Sequence, residues 1–113
     1  MDAAHALLQP RRHPGQVVVD HPGAELEVDA FARGVIRALQ QTMPQLRETL
    51  GRVTVRIILN QNGNVESVQV VRPSKIASLD QSVLFATKQT SYPFPPPNAT
   101  LADRTFVVTY IYH

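Results

Sequence analysis

Cysteine is absent from the 113-residue chain, which excludes structural disulfides and thiolate metal sites. That absence fits the cytosol and the periplasm equally well. Long hydrophobic runs are missing too, since no stretch approaches the roughly 18 consecutive apolar residues of a membrane span. The opening MDAAHALLQPRRHPG puts an acid second and basic residues after a short apolar stretch, the reverse of a secretory signal. The chain as given is therefore expected to be soluble, with any export signal or anchor lying outside it. Charge of one sign is also scarce. The net charge is +2, and the arginines are scattered from Arg11 to Arg104, whereas a nucleic-acid binder concentrates them on one face.

Catalytic constellations are lacking as well. His5, His13, His21 and His113 fall in the first stretch or at the last residue, and none has a metal-ligand spacing. Ser74, Ser78, Ser82 and Ser91 have no histidine nearby in any predicted element, and no nucleophile elbow occurs. Neither glycine motif that cradles phosphate is found. Glu48, Glu66, Asp80 and Asp103 read as solvated carboxylates. Arg33, Arg37, Arg47, Arg52 and Arg56 could form a stripe, yet the aromatic strand motifs that stack bases are missing, so this reads as a solvated face. The expectation is a protein that is not an enzyme, with no catalytic residue, no metal, no cofactor and no nucleic-acid partner.

What is present is the composition of a folded domain. Apolar residues make up 43% of the chain, and its length allows one self-sufficient core. Residues 1–25 hold Pro10, Pro14, Gly15, Pro22 and Gly23 and read as a flexible leader. Within it, QVVV (Gln16–Val19) could add a strand. From Glu27 the period turns helical, with Val28, Phe31, Ala32, Val35, Leu39, Met43 and Leu46 on one side. Pro44 should end this helix near Thr42. Gly34 inside it would let a strand approach closely.

Val53, Val55, Ile57 and Leu59 alternate with Thr54, Arg56 and Ile58, as in a half-buried strand. Asn60–Gly63 is a turn, since Asn and Gly tolerate positive φ. A second strand carries Val65, Val68, Val70 and Val71, and its shift of phase predicts a bulge. A second helix follows, capped by Ser78 and ending by Tyr92 before Pro93. RTFVVTYIY (Arg104–Tyr112) is a strand of β-branched and aromatic residues. The predicted architecture is α+β: two helices packed on a three-stranded antiparallel sheet, in the order helix, strand, strand, helix, strand. A right-handed crossover puts the last strand beside the first, at the sheet edge.

That edge carries no charge, proline or glycine from Thr105 to Tyr112, although natural edges are usually guarded by such devices. It can accept a partner peptide by strand addition. It can equally be covered by the leader or by a second copy. Between helix and last strand lies SYPFPPP. Its Tyr92, Pro93, Phe94, Pro95, Pro96 and Pro97 are expected to form a rigid polyproline connector, with Tyr92 and Phe94 pinned in the core.

GRVTVRIILNQNGNVESVQVVRPS resembles the central hairpin of the TonB C-terminal domain family. LDQSVLFATKQTSYPFPPP (Leu79–Pro97) resembles its helix and aromatic–proline segment, and FVVTYIY its closing strand. Residues 26–113 would then be a domain of that family. The resemblance implies a periplasmic adaptor coupling an inner-membrane, proton-driven motor complex to an outer-membrane TonB-dependent transporter, through an N-terminal anchor outside this chain. It implies that a TonB box peptide pairs with Thr105, Phe106, Val107, Val108, Thr109, Tyr110, Ile111 and Tyr112. The alternatives are a TolA-like envelope-linking protein and a homodimer built on the same edge.

Overall fold

A computed structural model describes residues 15–20, 26–46 and 49–113 of the chain. Expectations placed on residues 1–14, 21–25, 47 and 48, among them those on His5, His13, His21, Arg47 and Glu48, lie outside the described residues. The described elements are β1 (Gly15–Asp20), α1 (Leu26–Thr42), β2 (Gly51–Leu59), β3 (Val65–Arg72), α2 (Ala77–Gln89), a 3-10 turn (Ala102–Arg104) and β4 (Thr105–Tyr112).

The hairpin forms as its residues dictate. Val53, Val55, Ile57 and Leu59 are buried to the last atom, while Arg52, Arg56 and Ile58 face outward. At the turn Gly63 takes φ +82°, its N–H donates to the Asn60 carbonyl at 3.0 Å, and the Asn60 side chain accepts from the N–H groups of Asn62 and Asn64. The expected bulge is present, because Ile58 pairs with Ser67 but Leu59 with Val65. A second irregularity lies between the pairs Thr54–Arg72 and Val55–Val70.

The sheet has four strands in the order β1-β4-β2-β3, and every neighbouring pair is antiparallel. Two expectations are thereby corrected. The three-stranded sheet becomes four-stranded, and β4 is an interior strand instead of an edge. The added strand comes from the stretch read as a flexible leader. Three consecutive valines have strong strand propensity, and pairing satisfies backbone groups that β4 would otherwise leave bare. β4 does lie beside β2 and point the same way as β3, as the crossover argument required.

Both helices cover one face. α1 lies nearest β1, and α2 lies over β3 and β2. Phe31, Ala32, Val35 and Leu39 of α1 join Leu79 and Val83 of α2 over the inward residues of β2 and β4. Phe31 meets Phe106 edge to face, with ring centroids 5.7 Å apart, a geometry that ring quadrupoles favour. α1 stops at Thr42, two residues before Pro44, where the pre-proline restriction predicts. α2 begins one residue before Ser78, and Ser78 does not cap it. Its N-cap, Ile76, makes no side-chain capping bond of its own; the Ser74 hydroxyl accepts from the Ile76 N–H at 3.0 Å, and the Asp80 carboxylate accepts from the Ser74 N–H and hydroxyl.

Candidate functional site

β4 alternates strictly. Phe106, Val108, Tyr110 and Tyr112 are buried beneath the helices, while Thr105, Val107, Thr109 and Ile111 are half-buried on the open face of the sheet. Among the described residues, its flanks are β2 on one side and β1 on the other. The β2 flank is firm, pairing Gly51 through Ile58 with Tyr112 through Thr105. Across it the Thr54 and Thr109 hydroxyls share a 2.9 Å hydrogen bond.

The β1 flank is lighter. Gly15 pairs with Tyr112, Val17 with Tyr110 and Val19 with Val108. Val17 and Val19 are only partly buried against the core. Val18 is 46% exposed, and Gln16 and Asp20 face solvent. Since burial of apolar area is what holds a strand down, β1 contributes far less to the core than β2 or β4. It nevertheless fills the edge of Val107–Tyr112, six of the eight residues expected to take a partner peptide. The opposite edge, β3, is protected differently, by its two register shifts and by exposed Glu66 and Arg72. These are the guards that discourage strand addition.

Two anchors fix where β4 starts and ends. Arg104 donates from Nη1 to the Leu59 carbonyl at 2.8 Å, tying its start to the end of β2. The Tyr112 hydroxyl donates to the Pro44 carbonyl at 2.9 Å, tying its end to the segment after α1. In its middle the hydroxyls of Tyr110 and Thr87 share a 2.8 Å bond across to α2. Burial raises the Tyr110 phenol above its ordinary pKa and pushes that of Tyr112 up to about 12, with the neighbouring Tyr110 adding to it.

The proline connector delivers the chain from α2 towards β4. Tyr92 is half-buried, and its hydroxyl donates to the Thr87 carbonyl at 2.7 Å. Pro93 packs against Gly34, where an added Cβ would stand 3.1 Å from Pro93 Cγ. The close approach expected at Gly34 is therefore made by the connector and not by a strand. Pro95 is buried, Pro96 half-buried and Pro97 exposed, and the Ala99 N–H donates to the Pro96 carbonyl. Phe94 departs from expectation: it is 80% exposed and rests against the hairpin turn at Gly63. Burial along the connector recurs at three-residue steps, with Phe94 and Pro97 exposed and Tyr92 and Pro95 turned inward, the period of a polyproline helix.

Among the described residues no group of acids and histidines could hold a metal ion, and no helix is long and apolar enough to cross a membrane. The sequence left the occupant of the edge open among a partner peptide, the leader and a second copy; here it is the leader's run Val17–Val19, as part of β1.

Among curated proteins none matches the chain. A family model described as the Gram-negative bacterial TonB protein C-terminal matches residues 44–113, the span that holds the hairpin, α2, the connector and β4.

Proposed function

The chain belongs to the TonB C-terminal domain family, and on that premise we propose that it is a periplasmic adaptor of a TonB-type energy-transduction system. In this reading an extended TonB box peptide from an outer-membrane transporter pairs with Thr105–Tyr112 along the outer edge of β4. The inner-membrane motor complex pulls through an N-terminal anchor, and the pull reaches the transporter through the paired strands. The observation that carries the reading is that this edge already takes an added strand: β1 lies on it in an antiparallel register running from Gly15–Tyr112 to Asp20–Val107. Main-chain hydrogen bonds supply affinity in such pairing and alternate side chains supply selectivity. The partner peptide exchanges with β1 and leaves the β2 flank intact.

The test is a titration of the full chain with a synthetic TonB box peptide from a transporter of the same bacterium, followed by backbone amide NMR. Amides of β4 and β1 should shift while those of β3 stay in place, and a proline at one parity of the peptide should abolish the effect. Shifts confined to β3, or no binding at millimolar peptide, would overturn the reading.

A homodimer is the second reading, favoured by the fact that no side chain of β1 is fully buried, so that the strand could be donated to a second copy. Sedimentation across a range of concentrations separates the two, since a stable dimer indifferent to peptide belongs to this reading alone.

A further inference from the structure

An edge that takes a strand also selects one, and β1 carries the selection in its own sequence. We propose that β1 is an intramolecular stand-in for the partner strand, and that a strand displacing it must place glycine opposite Tyr112 and β-branched apolar residues opposite Tyr110 and Val108. This rests on the strand-addition reading of β4 and adds to it a register rule and a competitor.

The glycine requirement is steric. A Cβ on Gly15 would collide with the Ile111 carbonyl oxygen, and would stand 3.2 Å from the Ile111 carbonyl carbon and 2.8 Å from Met43 Cε. The methionine can swing aside, because its side chain is flexible. The Ile111 backbone cannot, because Ile111 is also paired with Arg52 of β2. Any strand in this register therefore meets a wall at one position only.

Two residues further on, Val17 stands opposite Tyr110, and two further again Val19 stands opposite Val108; both partners are wholly buried. A polar or charged side chain at either half-buried place would lose part of its hydration against an apolar core. A stiff β-branched one fits a pleated, half-buried surface. The intervening Gln16, Val18 and Asp20 are exposed, so their positions tolerate variety. The pattern is glycine, any, β-branched, any, β-branched, read antiparallel to β4.

The stand-in role follows from tethering. A strand held in the same chain competes at a high effective concentration. It lowers the apparent affinity of an external strand by the fraction of molecules whose edge is vacant. The few half-buried contacts of β1 keep that competition beatable, where a fully buried strand would lock the edge permanently.

The experiment uses the full chain and two loosened variants, Val17→Ala with Val19→Ala, and Gly15→Leu. The second makes the chain's own strand break the register rule. The probes are the peptide Gly-Gln-Val-Val-Val-Asp, the same peptide with leucine first, and the transporter peptide, each read by amide shifts at Thr105–Tyr112. Intact β2 and β3 resonances verify that each variant is folded. Both variants should bind the glycine peptide about tenfold more tightly than the unaltered chain, the change expected when most of the edge population is freed. The leucine peptide should bind at least about tenfold more weakly than the glycine peptide, as backbone collision at one position requires. Equal binding of the two peptides would overturn the register rule. Equal affinity of loosened and unaltered chains would overturn the stand-in. In either case the transporter peptide, still shifting β4, would leave strand addition standing. If no peptide shifts β4 even in the loosened chains, strand addition itself fails, and this inference with it.

Discussion

At Gly63 a single hydrogen atom in place of a side chain holds two parts of the domain together. Its φ of +82° lies in the left-handed region, where an L side chain costs about 1–2 kcal/mol. An added Cβ would also come within 3.1 Å of both Phe94 Cδ1 and the Pro93 carbonyl oxygen. The hairpin turn and the proline connector thus meet at a residue without a side chain. Gly63→Ala should lower stability by about 1–2 kcal/mol, because the backbone term is unavoidable and the contact term depends on whether Phe94 yields. Urea unfolding measures this. Since Phe94 is exposed and can turn aside, Gly63→Ala combined with Phe94→Ala should recover little. A full recovery would show that the ring and not the backbone sets the cost.

At the scale of elements, the two edges of the sheet are managed in opposite ways. β3 guards itself with bulges and charge. β1 is regular, rich in valine and scarcely buried, and covers a neighbour in place of guarding itself. Opening free energies follow buried apolar contact, so the amides of β1 should exchange hydrogen well before those of β2 and the inward-bonded amides of β4. Native-state hydrogen exchange checks this, and equal protection of β1 and β2 would contradict it. The elements that were legible in the sequence owe this to local causes. The hairpin announced itself by alternation and an Asn-Gly turn, the end of α1 by Pro44, and β4 by unbroken β-branched and aromatic residues. Coverage of the β4 edge was legible only as one of three choices, because Val17–Val19 record a taste for pairing but not whether a partner is in reach. Phe94 was misplaced for a related reason: hydrophobicity marks it for burial, while the three-residue repeat of the connector decides which way it faces. Ser78 shows the same limit, since a plausible capping residue says nothing of Asp80 reaching back to Ser74.

Over the whole molecule, three phenol hydroxyls bind the layers into one unit. Tyr112 ties the end of β4 to the carbonyl of Pro44, Tyr110 ties its middle to Thr87 of α2, and Tyr92 ties the connector to the Thr87 carbonyl. All three are held above the ordinary phenol pKa, chiefly by burial. The consequence for stability has a definite sign. Below about pH 10, the ordinary phenol value, folded and unfolded chains both keep these protons, and the stabilisation is complete. Above that value the unfolded chain releases protons while the folded chain retains them, so stability falls as pH rises. For Tyr112 the fall continues until the folded phenol itself ionises, at about 12. The urea midpoint should therefore hold steady from pH 8 to about 10, and decline towards 12. Tyr112→Phe should lose about 1 kcal/mol at pH 8, the worth of one hydrogen bond, and decline less steeply above pH 10. A midpoint that stays level to pH 11.5 would mean that the phenols are exposed in the folded domain. The layers would then be joined by apolar packing alone.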